Sequence, residues 1–156
     1  MKWKMPPVVK IYEALGAIGD GRISVDSDKG KVMSSKGNKK YSVKFDADTN
    51  AIMANDNGSF WQGYVGYPAI SFLMKIGKIE FDDAVANSLK GIAWNDVNKK
   101  FQRDYEKTIE YCLQVAEKNG VNAKKVKIEV DRIYKILGKM ELGMLGKKIY
   151  PPKDNG

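Results

Sequence analysis

The stretch Lys40 to Asp46 reads KYSVKFD, and its alternation decides the fold class. Successive side chains of an extended chain point to opposite faces, so Tyr41, Val43 and Phe45 fall on one side and Lys40, Ser42 and Lys44 on the other. One face is core; the other is wet and basic. Working outward, RISVD (22–26), KVMSS (31–35) and AIMAN (51–55) are further candidate strands, separated by DSDKG, KGNKK and ADTN. These are short, turn-forming connections, and short connections favour antiparallel neighbours. The expectation is an antiparallel meander of about four strands, with Gly30 supplying a left-handed turn residue in DSDKGK.

On either side of this block the period changes to that of a helix. Pro7 suits the first turn of a helix through VVKIYEALGAI, where Val8, Ile11, Tyr12, Leu15 and Ile18 make an apolar stripe and Gly16, Gly19 and Gly21 end it. PAISFLMKIG, from Pro68 to Gly77, has only Ser71 and Lys75 as polar interior residues and reads as a helix buried on nearly all sides. Asp82 can cap a short helix through DAVANSLK, and Asn95 a long one from Asp96 to Lys118. A last helix follows Asn122, with Val126, Val130, Ile133 and Leu137 on one face. The architecture expected is α+β: an N-terminal helix, the meander, and a C-terminal helical layer packed on one sheet face. Residues 1–146 read as a single domain and residues 147–156 as a flexible C-terminal tail.

Composition excludes more functions than any motif suggests. The 156 residues contain no histidine, which removes histidine-based nucleophile pairs, imidazole acid–base catalysis and His-containing zinc sites. The single cysteine, Cys112, rules out an internal disulfide and falls on the apolar face of its helix with Tyr105, Ile109 and Ala116. No run approaches the roughly 20 apolar residues of a membrane span, and the N-terminus lacks the apolar core of a signal peptide. A cytoplasmic setting with no membrane partner is the expectation.

Four patterns are better explained by architecture than by chemistry. GAIGDGRI follows a helix and precedes a strand, the reverse of a dinucleotide fingerprint; its Gly16-Ala-Ile-Gly19 also fits the loop of a KH domain but reads as a helix terminator. DADTNAIMANDN places Asp46, Asp48 and Asn50 as in a calcium loop, yet has Ala51 where glycine is needed and Asn57 where glutamate is needed. Asp82 and Asp83 fit a helix start. No metal and no cofactor is expected.

Two regions remain as candidate sites. SFWQGYVGYP, Ser59 to Pro68, concentrates four aromatic rings and two glycines ahead of the buried helix. Its rings can close one end of the core. Alternatively Trp61, Gln62, Tyr64, Gly66 and Tyr67 line a pocket whose floor is the N-terminus of the following helix, where free N–H groups favour an anion. The second region is basic. Residues 1–45 carry a net +6, residues 46–120 a net −3 and residues 121–156 a net +5, within a total of +8. Lys36, Lys39, Lys40 and Lys44 form a lysine-rich patch able to neutralise phosphates, although lysines also keep a sheet edge soluble. The function expected from sequence is a non-enzymatic binding or adaptor domain for an anionic partner such as a nucleic-acid backbone. The alternatives are a small-ligand pocket, with or without catalysis on an anionic metabolite, and a protein-interaction module using Met140 to Leu145.

Overall fold

The computed structural model describes residues 1–153. In chain order the elements are α1 (Val9–Gly19), β1 (Ile23–Asp26), β2 (Lys29–Met33), β3 (Lys40–Asp46), β4 (Ala51–Ala54), a π-turn (Gly58–Gln62), α2 (Tyr67–Lys75), α3 (Asp83–Ser88), α4 (Trp94–Lys100), α5 (Tyr105–Lys118), α6 (Ala123–Met140) and β5 (Gly143–Met144). The chain is α+β, with an N-terminal helix, a sheet and C-terminal helices.

The sheet has five strands in the order β1-β2-β3-β4-β5. The first three pairings form the expected antiparallel meander; the fourth, β4 with β5, is parallel, so the sheet is mixed. A two-residue strand is too short to carry a period, and its partner lies some ninety residues earlier in the chain, so no local pattern announces it. The N-terminal segment holds it in place: the Trp3 amide donates to the Leu142 carbonyl at 3.0 Å and the Met144 amide to the Met1 carbonyl at 2.8 Å.

Tyr41, Val43 and Phe45 are buried while Lys40 and Lys44 are exposed, as the alternation of KYSVKFD dictates. The helix lying on the apolar face is α2, which touches β1, β2, β3 and β4. Of the helices that follow the sheet, α2 is the one laid on it; α1 packs behind α2 and in turn meets α3, α5 and α6. Gly30 is also corrected. The left-handed residue of the first hairpin is Ser27, at φ 59°, while Gly30 sits within β2, where a Cβ would come within 2.6 Å of the Phe72 ring.

Enclosed by α2, α3, α5 and α6, α1 is buried from Ile11 through Ala17. Gly16 and Gly19 are packing devices, whereas Gly21 terminates the helix as expected, with the Arg22 amide returning to the Ala17 carbonyl at 3.1 Å. A Cβ on Gly19 would lie 2.3 Å from the Ala86 carbonyl oxygen, and one on Gly16 would lie 2.9 Å from Trp94 Nε1, so bare backbone is what lets the helices approach. Gly21, at φ 68°, lies in the turn beyond the helix.

This packing has a measurable consequence. Gly19→Ala gains about 1 kcal/mol of helix propensity but is expected to destabilise the fold by about 1–3 kcal/mol net, because backbone must move. Gly138→Ala, in α6 with its nearest neighbour Met5 at 3.7 Å, is the control and is expected to stabilise by about 0.5–1 kcal/mol. Urea unfolding of the two variants tests both signs. Equal effects would refute the close approach at Gly19.

Candidate functional site

The site begins with two charges in an otherwise apolar helix. Lys10 and Glu13 lie one turn apart on α1, and packing removes Glu13 from water to 4% exposure. Lys10 Nζ donates to both Glu13 carboxylate oxygens at 3.3 Å, and Asn98 Nδ2, from α4, donates to Glu13 Oε1 at 3.2 Å. Desolvation works against the Lys10 ammonium, but the Glu13 carboxylate, aided by Tyr64 and Tyr105, outweighs it and raises the pKa above the usual lysine value. With its Nδ2 committed to Glu13, Asn98 is left with a buried Oδ1 that meets no donor among the described residues. Buried polar atoms are normally paired, so this one asks for a partner.

The π-turn builds the opposite wall. It presents Trp61 and Gln62 outward, and Gly58 lets the Tyr64 ring lie directly on it, since a Cβ there would come within 2.4 Å of that ring. Such turns are rare and often sit at functional sites. The rim is a break between two helices. The helix expected from Asp96 to Lys118 is divided into α4 and α5, with Gln102 at φ 50° and Arg103 at φ 63° between them. Two consecutive left-handed residues that are not glycine cost about 1–3 kcal/mol each, and the surrounding structure must hold them there. Asp104 restarts the helix by accepting from the Lys107 amide at 3.4 Å.

Together α1, the π-turn and the α4–α5 break enclose a cavity of about 960 Å³. Its lining includes Lys10, Lys99 and Arg103 but no aspartate or glutamate. Five of the other lining side chains, Asn57, Gln62, Asn95, Asn98 and Gln102, are carboxamides. The chain belongs to the family of uncharacterised conserved protein UCP014422. The family match covers residues 3–143 and therefore includes every residue that lines the cavity. No curated protein and no solved structure matches the chain.

Of the five pocket candidates from sequence, Trp61, Gln62 and Tyr64 line this cavity, while Gly66 and Tyr67 do not. Gly66 stands against a buried carboxylate: a Cβ there would lie 1.9 Å from Asp56 Oδ2. The start of α2 is thus closed by an internal acid, with Gly66, Pro68, Ala69 and Ile70 all buried, and it forms no floor for an external anion. Tyr67 instead meets Tyr41 edge to face at 6.1 Å, with the Arg22 guanidinium 5.8 Å from its ring. Phe60 and Trp61 turn outward, where Tyr150 packs on Phe60 at 4.4 Å, so the described part of the 147–156 segment touches the domain. Residues 154–156 of that segment lie outside the described residues.

The lysine patch is divided. Lys40 and Lys44 stand exposed on the solvent face of the sheet, near Lys29 and Lys31, whereas Lys36 and Lys39 belong to the β2–β3 turn, with Lys36 reaching Asp96 at 4.0 Å. In the Met140–Leu145 segment Leu142 is buried and Gly143–Met144 form β5. Asp82 caps α3, accepting from the Ala84 amide at 2.8 Å, which together with the Val85 amide and Lys125 holds its carboxyl below the ordinary range. Burial pushes the Cys112 thiol up to about 12. Among the described residues no group of three or more metal-ligating acids or thiols converges. Sequence inspection overlooked Lys10, Glu13, Asn98 and Lys99. The available signal was two opposite charges at i and i+3 within VVKIYEALGAI.

Asp56 supplies a pH test of this architecture. Its carboxylate accepts from Ser59 Oγ at 2.6 Å and the Ser59 amide at 3.2 Å, yet desolvation dominates and raises its pKa above that of an exposed aspartate. A raised folded-state pKa favours folding below the unfolded value near 4 and penalises it as pH rises through the folded value. Asp56→Asn keeps an acceptor without the charge. The variant is expected to match wild type in stability near pH 3.5 and to exceed it increasingly towards pH 7, by about 1.4 kcal/mol for each tenfold difference in proton affinity. A difference that does not vary with pH in chemical denaturation would contradict the assignment.

Proposed function

We propose that the protein binds a small anionic molecule in the cavity between α1, the π-turn and the α4–α5 break. The observation that carries this is the charge of the lining: three cations and no acid. Lys10 is already neutralised by Glu13, whereas Lys99 and Arg103 make no ion pair among the described residues, and they are the groups free to attract a ligand's negative charge. The volume falls in the range of pockets for metabolite-sized ligands.

Binding fits this wall better than proton-transfer catalysis does. A general base must be deprotonated near the working pH, but Lys10 is held as an ammonium by Glu13, and burial raises the Tyr64 phenol despite the opposing influence of Lys10. Both groups are therefore hydrogen-bond donors. With Lys99→Ala and Arg103→Ala combined, calorimetric affinity for inorganic phosphate is expected to fall at least about tenfold with melting temperature little changed, since both side chains are exposed. Failure of wild type to bind phosphate or any phosphorylated metabolite saturably would remove the proposal.

A second proposal, contact with a nucleic-acid backbone or other polyanion, is favoured by one feature of the sheet. Lys29 and Lys44 are directly opposed across β2 and β3, where like charges repel and destabilise the pair. A polyanion laid across that face would relieve the repulsion and release counterions. Replacing Lys36, Lys39, Lys40 and Lys44 together by Gln is expected to weaken binding to unrelated sequences alike and to flatten its salt dependence. Unchanged filter binding at low salt would eliminate the sheet as the contact face.

A further inference from the structure

The chemistry of the cavity wall narrows the ligand beyond its charge, and this step rests on the cavity being an anion site. Lys99 and Arg103 satisfy a phosphate or carboxylate by donating hydrogen bonds. An anion has no use for acceptors, yet five carboxamides line the same space, each bringing a carbonyl oxygen beside its amide donors. One of the five, Asn98, is held in place by the hydrogen bond that its Nδ2 donates to Glu13 Oε1 at 3.2 Å. A ligand that uses these acceptors carries N–H or O–H groups of its own in addition to its negative charge. Paired donors and acceptors on a planar amide match the edge of a heterocyclic base, as they do when asparagine or glutamine reads adenine.

The third requirement comes from Trp61. It lines the cavity and yet is 60% exposed, far more than a large apolar side chain with only a packing role. Its two aromatic neighbours stand perpendicular to it: Phe60 at 4.7 Å and 85°, and Tyr150 at 5.9 Å and 88°. Among the described residues no ring lies parallel to the indole, so a π-face remains open for stacking. The pair of Phe60 and Tyr150, 4.4 Å apart, buttresses Trp61 from the side and limits its freedom. A held indole with an uncovered face is what a flat ligand needs.

We infer that the cavity is a nucleotide site, with the base stacked on Trp61, the base or sugar hydrogen-bonded by the lining carboxamides, and the phosphate met by Lys99 and Arg103. The π-turn supplies Trp61 and the α4–α5 break supplies Arg103, so each of these backbone irregularities places one end of the ligand. The left-handed pair Gln102–Arg103 then has a purpose: it turns the chain so that α4 and α5 present side chains to one space.

The test compares the four ribonucleoside monophosphates, ribose 5-phosphate and inorganic phosphate by calorimetry on wild type, Trp61→Ala and Arg103→Ala. At least one nucleotide is expected to bind about tenfold or more tightly than ribose 5-phosphate. Trp61→Ala is expected to weaken that nucleotide by about 5- to 150-fold, the range for loss of one base–aromatic stack, and to leave ribose 5-phosphate unchanged. Arg103→Ala is expected to weaken both. Equal affinity of wild type for nucleotide and ribose 5-phosphate, or a nucleotide affinity indifferent to Trp61→Ala, overturns the nucleotide assignment while the anion site stands. Absence of saturable binding by all of these compounds overturns both. Since Trp61 is exposed, circular dichroism and melting of Trp61→Ala will separate loss of binding from loss of fold.

Discussion

The structure depends on burying α1 on every side while it carries a lysine and a glutamate. An isolated charge at the position of Glu13 would cost several kcal/mol; the pairing with Lys10 and the added hydrogen bond from Asn98 compensate for much of that desolvation. A buried ion pair is weak evidence for stability, because apolar residues of similar volume often serve as well or better. Its effect here is on position. Glu13 ties α4 to α1 through Asn98 and keeps the Lys10 ammonium at the wall of the cavity, so the most enclosed helix also anchors the site.

Close approach around α1 makes this arrangement possible. Gly16 and Gly19 admit Trp94 and the backbone at Ala86, while Gly30 admits Phe72 of α2 beneath the sheet. The order of layers follows: sheet, then α2, then α1, then α3, α5 and α6. Helices stacked in this way leave irregular joints at their ends. The cavity occupies one such joint, bounded by the π-turn before α2 and by the break between α4 and α5. Rigid helices supply the walls, and loops supply the side chains that differ in chemistry.

The sheet plays a separate part. Its apolar face is spent on α2, and none of the lysines on its other face lines the cavity. Lysines opposed across β2 and β3 are tolerated because they are solvated. The cations at the cavity are fewer, but the absence of lining acids concentrates their effect.

What the sequence determined by itself were the features encoded over a few residues. Alternation in KYSVKFD specified a strand with one buried and one basic face, short turns specified antiparallel neighbours, and three- and four-residue spacing specified α6. Cap residues were legible in part: Asp82 and Asn122 cap as expected, whereas Asn95 lies inside α4, which begins at Trp94. Tertiary structure alone decided the features that depend on distant segments meeting. The parallel pairing of β5 with β4 needs the chain to return after α6, and the role of Gly19 needs Ala86 to be nearby. The site was half visible for the same reason. Trp61, Gln62 and Tyr64 are conspicuous in one aromatic stretch, whereas Lys10, Asn98 and Arg103 look like ordinary polar residues of a helix until α1, α4 and the break after it converge. Helical periodicity continues through Gln102 and Arg103 because side-chain spacing does not record a change in backbone φ; the break is closed by backbone bonds of its own, from the Arg103 amide to the Asn98 carbonyl at 3.1 Å and from the Asp104 amide to the Phe101 carbonyl at 2.8 Å.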